Sequence, residues 1–373
     1  IAASGNSGAW TLTNSRLIKT DHEGDVIWEK SIRAGPGYTS DQAYCVRQCF
    51  DGGYIVAGWV CCYDVRVVKL APSVEPWPGH PEAPWPMFQH DPQHTGRTLA
   101  VGPGALETPA VEIVRKSRDE NDYFAFVVIG EGNTIYAGAR INGETGLYAL
   151  SPNFTIEWSF STSSIPYPVL GPDGTVYAFY ALGEDRTLIA VNPDGSVKWR
   201  RDFPDIWPRI HMTVDLNGTL YFLADKGDTT QLVALEGSTG QLKWTYTVEG
   251  ILSGGVYSPT VGLDGTIYFG CEDTLYAICP DGTEKWRRTF PTILLDGSQV
   301  FGRARVTTPT VADDGTIYIV VTGEKEWATL ITGGFASGLH ALDPNDPYTE
   351  KWPTKYLDGA RGPVAVAPNG NIY

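Results

Sequence analysis

The chain has 373 residues with 42 glycines, 26 prolines and only two methionines, a composition that suits many turns and few helices. No apolar run approaches the roughly 18 residues that a membrane-spanning helix needs, and the net charge of −15 argues against nucleic acid as a partner. The six cysteines favour an oxidising compartment. The chain begins at Ile1 without a visible signal peptide, so we expect a mature or truncated product.

The first segment, residues 1–33, contains the second half of a unit that recurs along the chain. An apolar run begins at Leu17, a turn follows at Glu23-Gly24-Asp25, and Trp28 comes next. Residues 34–80 form another unit, whose sequence differs slightly from that of the other repeats and which ends at Trp77. Its predicted strands are Ala43–Gln48, Tyr54–Val60 and Val65–Leu70.

Residues 81–125 form a connector, because their prolines oppose the ladder pairing of a sheet. Residues 126–362 then hold five further units in succession. The clearest unit is Leu263–Trp286, LDGTIYFGCEDTLYAICPDGTEKW, with predicted strands at Thr266–Gly270 and Leu275–Cys279 and a third that carries Trp286. Asp-Gly pairs favour tight hairpin turns, since both residues tolerate positive φ.

A short apolar strand precedes the Asp-Gly turn of each unit, as at Pro168–Leu170 and Ser258–Val261, which gives four strands per unit. A period of roughly 40–55 residues with four strands is typical of β-propeller blades. The C-terminal residues 363–373 supply the front half that residues 1–33 lack. We therefore predict one all-β domain, a seven-bladed β-propeller of four-stranded antiparallel blades, with one blade shared between the two ends of the chain.

Closure of this shared blade depends on residues at both ends of the chain, because an open ring would leave unpaired strand edges. These residues are Ile1, Ala2, Ala3, Asn371, Ile372 and Tyr373. One tryptophan occupies the same position in each of the seven units, and we expect these indoles to pack between neighbouring blades. They are Trp28, Trp77, Trp158, Trp199, Trp244, Trp286 and Trp352.

The repeated pattern DGTIY…LYALxPDGxxxW resembles the PQQ-like propeller repeat, the blade of pyrroloquinoline-quinone alcohol dehydrogenases and their cofactor-free relatives. The resemblance covers residues 84–373 and 1–33. It implies the fold more strongly than an activity, because propellers host unrelated functions. We expect no cofactor; pyrroloquinoline quinone with calcium belongs to the dehydrogenase alternative.

Adjacent Cys61 and Cys62 are the sharpest sequence feature outside the repeats. The dehydrogenases carry adjacent cysteines, joined as a disulfide ring, against their cofactor. A bond between neighbours is strained, however, because their Cα atoms lie about 3.8 Å apart. Cys45 and Cys49 lie one hairpin away, so we favour cross-strand disulfides among these four cysteines over a cofactor site and leave the connectivity open.

Other candidate sites are weaker. Asn153 and Asn217 each begin an N-glycosylation sequon, a triplet that also arises by chance. His90, Asp91, His94 and Arg97 cluster in the connector, where polar anchoring of the loop is favoured over metal binding. We identify no catalytic or metal-binding residue, because no Ser-His-Asp order, P-loop or paired-cysteine zinc motif occurs.

These observations favour a secreted or cell-surface propeller that acts as a non-catalytic binding or assembly module. The expected partners are proteins or further copies of the chain, and self-assembly into a filament is one form of this function. Two alternatives stay open. One is a quinoprotein dehydrogenase, and the other is a scaffold for surface or outer-membrane assembly that binds through the loops at one face of the ring.

Overall fold

The computed structural model describes the backbone of residues 123–182, 185–252, 257–290, 304–323 and 336–352. It also describes the shorter segments 2–4, 15–20, 26–32, 41–48, 54–60, 64–70, 111–116, 294–295, 299–300, 354–358, 364 and 366. The backbone alone is described before residue 123. The chain divides into two compact units, one of Ile1–Met87 with Thr98–Pro204 and one of Phe88–Arg97 with Asp205–Tyr373.

The first unit contains four antiparallel sheets in which consecutive strands are neighbours. The first sheet has three strands: β1 (Ala2–Ser4), β2 (Ser15–Thr20) and β3 (Val26–Ile32). The second has four: β4 (Asp41–Gln48), β5 (Tyr54–Val60), β6 (Asp64–Leu70) and β7 (Val111–Lys116). The third has β8 (Tyr123–Ile129), β9 (Ile135–Ile141), β10 (Glu144–Leu150) and β11 (Ile156–Ser161), with a short 3-10 helix at Glu131–Asn133. The fourth has β12 (Tyr167–Leu170), β13 (Val176–Leu182), β14 (Asp185–Val191) and β15 (Val197–Asp202).

The second unit repeats the same meander. One sheet has β16 (Trp207–Val214), β17 (Thr219–Lys226), β18 (Thr229–Glu236) and β19 (Leu242–Glu249). The next has β20 (Thr260–Val261), β21 (Ile267–Cys271), β22 (Thr274–Ile278) and β23 (Glu284–Thr289). A small hairpin has β24 (Leu294–Leu295) and β25 (Gln299–Val300). The last sheet has β26 (Ala304–Val306), β27 (Thr310–Val311), β28 (Ile317–Gly323), β29 (Ala336–Leu342) and β30 (Lys355–Asp358).

The all-β fold of four-stranded antiparallel sheets is thus confirmed, and the number of seven blades stays a prediction. One strand differs from expectation. The unit at 34–80 was expected to end at Trp77, but β7 pairs with β6 and completes that sheet from within the segment interpreted as a connector. A long proline-rich insertion therefore separates the third and fourth strands, which no local pattern near Trp77 reveals.

The two middle strands of the β20–β23 sheet, β21 and β22, are buried on both faces because this sheet lies between the β16–β19 and β26–β30 sheets. Ile267 and Phe269 pack into one cluster with side chains of the β16–β19 sheet. Tyr268, on the other face of β21, packs into a second cluster with side chains of the β26–β30 sheet. Burying one such side chain contributes about 1.5–3 kcal/mol. The two-residue alternation of a strand thus becomes the contact between successive sheets.

First strands of successive sheets in the second unit are linked by buried threonine hydroxyls. Thr213 Oγ1 donates to the Pro259 carbonyl at 2.5 Å, and Thr260 Oγ1 donates to the Pro309 carbonyl at 2.7 Å. Thr310 repeats the bond to Val364 at 2.8 Å. Proline suits the first two acceptor positions, because the accepting carbonyl is needed and the missing N–H is not, whereas the third acceptor is a valine. The first strands thereby stay in a fixed register.

The hairpin turns differ from the tight two-residue turns that Asp-Gly predicts. In the turn at 262–266, the Gly262 N–H donates to the Thr266 carbonyl at 2.8 Å, and the Gly265 N–H donates to the Gly262 carbonyl at 3.0 Å. Gly265 has φ of +81°, and Asp264 is not among the residues with positive φ. This is a three-residue loop in which the glycine alone of the Asp-Gly pair adopts the left-handed conformation.

Candidate protein-interaction face

In an antiparallel meander, the loop between strands one and two lies at the same end of the sheet as the loop between strands three and four. We call this the turn end of a sheet. Five successive sheets share one five-residue first turn there, which spans 130–134, 171–175, 215–219, 262–266 and 312–316. The first residue donates to the carbonyl of the fifth in every case, at 2.8–3.0 Å. The repeat therefore places one rigid turn per sheet at a corresponding site.

A lysine fixes this turn in three of the sheets: Lys198 and Lys285 lie on fourth strands, and Lys351 lies just before β30. Lys285 Nζ donates to Asp264 Oδ2 at 2.9 Å and to Thr266 Oγ1 at 3.1 Å. Lys198 repeats the pair with Asp173 at 2.8 Å, and Lys351 repeats it with Asp314 at 3.1 Å. The aspartates lie in turns and form local hydrogen bonds, as their position in the sequence predicts.

The pKa values of these aspartates follow from the same contacts. Partial burial raises the pKa of Asp264, but hydrogen bonds from Lys285 and Thr266 outweigh it and hold the pKa below its ordinary value. At Asp314, hydrogen bonding by Thr316 is the largest effect and lowers the pKa to about 2. Both carboxylates are therefore charged at neutral pH and act as structural acceptors.

The β16–β19 sheet departs from this pattern. Its turn carries Asn217 as the third residue, where three of the other turns carry aspartate and the turn at 130–134 carries Gly132. Lys243 Nζ still reaches Thr219 Oγ1 at 3.1 Å, but the carboxylate paired with it is Glu236 at 4.0 Å. This ammonium group, on a side chain 40% exposed, is held less tightly than its counterparts. Two exposed apolar side chains lie in the same region of the second unit: Leu216, 81% exposed, and Leu263, 65% exposed.

Leu216 and Leu263 occupy the same position, the second residue of the turn, in neighbouring sheets. The corresponding residues elsewhere are Glu131, Pro172 and Asp313. The same backbone hydrogen bond thus closes all five turns, whereas the side chain of the second residue differs from sheet to sheet. This is the arrangement expected of a surface that recognises a partner through loops on a rigid scaffold.

Three indoles of the repeat each donate a hydrogen bond to the turn end of the next sheet. Trp244 Nε1 donates to the Pro280 carbonyl in the second turn of the next sheet at 2.9 Å. Its ring lies directly over Gly282, where an added Cβ would sit 2.8 Å from Trp244 Cγ. Trp158 and Pro193 repeat the bond in the first unit at 2.8 Å, and Trp286 and Pro344 repeat it in the second unit at 3.0 Å.

The remaining indoles of the predicted set are placed as follows. Trp199 and Trp352 each lie against a tyrosine of their own sheet, Tyr177 at 5.8 Å and Tyr318 at 6.3 Å between ring centroids. Trp28 lies in β3 opposite Lys19. Trp77 lies outside the described residues.

The closure residues are described in part. Ala2 and Ala3 lie in β1, opposite Ile18 and Leu17 of β2. Ile1 and the C-terminal residues Asn371, Ile372 and Tyr373 lie outside the described residues, so the shared blade stays a prediction.

Asn153 and Asn217 are both exposed, and each is the third residue of a turn at a turn end. A glycan at Asn217 would be attached next to Leu216, the preceding residue of the chain.

The predicted cysteine site falls where no side chains are described. Cys45 lies in β4 opposite Ala57, and Cys49, Cys61 and Cys62 lie outside the described residues, as do His90, Asp91, His94 and Arg97. Cross-strand disulfides and the quinone alternative therefore stay predictions. Of the cysteines whose side chains are described, Cys271 and Cys279 are free thiols.

Sequence reasoning missed a second set of contacts along the boundaries between sheets. The residue two places after the tryptophan of one sheet meets the residue two places before the tryptophan of the next. Arg288 Nη2 lies 2.7 Å from Glu350 Oε1, and the Tyr246 hydroxyl donates to Glu284. These residues stand at fixed sequence distances from the tryptophans, and that regularity is visible in the sequence. Only the packing of neighbouring sheets shows which of these positions come into contact.

Within the described part of the chain, no helix is both long and apolar enough to cross a membrane. A family model described as outer membrane protein assembly factor BamB matches residues 128–336, more than half of the chain. No protein with a curated description matches the chain.

Solved structures that are similar to this chain have low sequence identity to it. Dihydro-heme d1 dehydrogenase NirN, in complex with DHE, is 10% identical with a TM-score of 0.52, over 96% of this chain and 67% of that chain. The Dos1 propeller is 9% identical with a TM-score of 0.45, over 88% of each chain. A protein of unknown function from Bacteroides caccae is 15% identical with a TM-score of 0.40, over 66% of this chain and 85% of that chain. The match of the family model to most of the repeats shows that the chain belongs to this family of PQQ-like β-propeller repeats.

Proposed function

We propose that this chain is a non-catalytic assembly module that binds a protein partner through the turn ends of the β16–β19 and β20–β23 sheets. The observation that carries the proposal is the exposure of Leu216 and Leu263, at 81% and 65%, on the same position of two neighbouring turns. Exposed apolar side chains scattered singly are ordinary. Two on equivalent, rigid turns form a pair whose spacing is set by the scaffold.

The frame around the two leucines supports binding at low entropic cost. Each turn is closed by backbone hydrogen bonds, and Lys285, Asp264 and Thr266 lock the second of them. A surface that is already ordered loses little freedom when a partner docks, so more of the contact energy appears as affinity. The weakly paired Lys243 adds a polar group at the edge of the apolar pair, as a typical interface rim does.

The family's description, outer membrane protein assembly factor, supports an assembly role over a catalytic one. We place this module in a secreted or cell-surface setting, in agreement with the sequence-based expectation, and the partner is a component of a surface or outer-membrane assembly. The quinoprotein dehydrogenase is the alternative. It predicts a cofactor absorption band and dye-linked alcohol oxidation after reconstitution with quinone and calcium.

Site-specific photo-cross-linking tests the proposal. A photoreactive residue is placed at position 216, at position 263, or at the control position 251, since Ile251 is 44% exposed but follows β19 at the opposite end of its sheet. We expect one and the same protein to be cross-linked from 216 and 263 and not from 251. The adduct from 216 should disappear when Leu263→Asp is added.

Two outcomes would contradict this function as stated. Equal cross-linking from all three positions would show that the turn ends have no special role. Cross-linking only to a second copy of the chain would replace the partner protein by self-association. Leu263→Asp should leave stability within about 0.5 kcal/mol of the parent because the residue is on the surface, so lost cross-linking cannot be attributed to unfolding.

A further inference from the structure

A partly buried polar cluster lies between the β20–β23 sheet and the β26–β30 sheet. Glu350 is at its centre, with Oε1 2.9 Å from His340 Nδ1 and 2.7 Å from Arg288 Nη2. Thr354 Oγ1 donates to Glu350 Oε2 at 2.9 Å. Arg288 also donates to the Pro347 carbonyl at 2.6 Å. The cluster therefore ties the fourth strand of one sheet to the loop that follows the third strand of the next.

His340 is the only imidazole in this cluster, and it is 8% exposed. The Phe290 ring meets it edge-on with centroids 5.0 Å apart. Its Nε2 atom is buried and has no hydrogen-bond partner among the described residues. Gly338 lies against the same atom, because a Cβ there would sit 3.1 Å from Nε2. The described surroundings thus suit a neutral ring that donates from Nδ1 to Glu350.

The other sheets place uncharged groups at this position. His340 in β29 is paired with Ile319 in β28, the preceding strand. The corresponding residues are Tyr276, opposite Phe269, and Val233, opposite Phe222. The position therefore normally carries a side chain that cannot gain a positive charge, and this sheet alone among the three has one that titrates near neutral pH.

We propose that His340 is an acid-responsive switch, whose protonation loosens the boundary between the β20–β23 sheet and the β26–β30 sheet. Protonation from solvent places a proton on Nε2, which leaves a buried donor without an acceptor among the described residues. Burying such a group unpaired is costly. The positive ring also faces the Arg288 guanidinium, and the two cations then compete for one carboxylate, Glu350.

The charged groups that face His340 are Arg288 from β23 and Glu350 from the loop after β29. Desolvation lowers the pKa of His340 most; the hydrogen bond and the charge of Glu350 oppose this, and Arg288 adds to it. The sign of the pH effect follows. With a folded pKa below the ordinary value of 6.5, the unfolded chain binds the proton more readily, so this contribution to stability is present at neutral pH and declines as the pH falls through 6.5 towards the folded pKa.

The decisive variant is His340→Tyr, since Tyr276 shows that the repeat accommodates a tyrosine at this position. Amide hydrogen exchange of β23 and β29 is measured at pH 5 and pH 7.5 and corrected for the chemical exchange rate at each pH. In the parent chain we expect protection of both strands to fall at pH 5. In His340→Tyr we expect equal protection at the two pH values. His211→Gln, at another buried histidine, should keep the response of the parent chain.

The proposal is overturned if the parent chain shows no loss of protection at pH 5, or if His340→Tyr loses as much. An NMR titration of the parent chain tests it without any variant, so it stays testable even if His340→Tyr fails to fold. A titration midpoint for the His340 ring below 6.5 supports the switch, and a midpoint at or above 6.5 refutes it. The test does not depend on the protein partner, so its outcome is separate from that of the assembly function.

Discussion

The contact between an indole and a turn glycine can be measured by adding a single methyl group. Gly282 has φ of +90°, and a Cβ placed there would lie 2.8 Å from Trp244 Cγ and Cδ2. Gly282→Ala should therefore lower the free energy of unfolding for two separate reasons. The left-handed conformation costs an alanine about 1–2 kcal/mol, and forcing a methyl group against a packed ring costs about 1–3 kcal/mol more. We expect a total loss of about 2–5 kcal/mol in the free energy of unfolding.

Gly218 provides the matched control in the same unit. It is also the fourth residue of a turn, with φ of +80°, but no atom lies within 4 Å of an added Cβ. Gly218→Ala should cost the conformational part alone, about 1–2 kcal/mol. Urea unfolding followed by tryptophan fluorescence gives both values from the midpoint and slope. If the two variants lose the same stability, the indole does not press on Gly282 and the account of sheet-to-sheet packing is refuted.

Three further predictions concern buried and exposed polar contacts. Lys285→Met should cost at most about 1 kcal/mol at pH 7, because the pair is exposed. It should also raise the depressed pKa of Asp264, read by NMR; no change would contradict the pairing. That carboxylate stabilises the fold above its ordinary pKa, and the contribution is lost as the pH falls through the lowered value. Thr260→Val should cost about 1–3 kcal/mol in thermal or urea unfolding, since it leaves the buried Pro309 carbonyl unpaired; a neutral result would argue against the threonine links. Finally, a carboxyl resonance of Asp314 should titrate near 2, and a midpoint near 4 would mean that Thr316 and Lys351 do not hold it.

The sequence by itself determined the strands and the place of the turns. Alternation in Thr266–Gly270 and the Asp264-Gly265 pair predicted a strand and a turn that agree with β21 to within a residue. Both signals are local. Side chains alternate between the two faces of a strand, and glycine adopts positive φ more readily than other residues. The exposure of Leu216 and the buried hydroxyl of Thr260 were not predicted, because exposure depends on what a neighbouring sheet covers.

Only the tertiary structure decided which distant residues meet. β7 completes the second sheet after a long proline-rich insertion, and Trp244 finds its acceptor at Pro280, 36 residues away. The cluster of Arg288, His340 and Glu350 likewise joins two sheets over a sequence distance of up to 62 residues. Such contacts are set by how one sheet lies against the next. The sequence therefore determined the repeated four-stranded sheet, whereas the packing of neighbouring sheets decided that Leu216 and Leu263 are exposed and that His340 is buried.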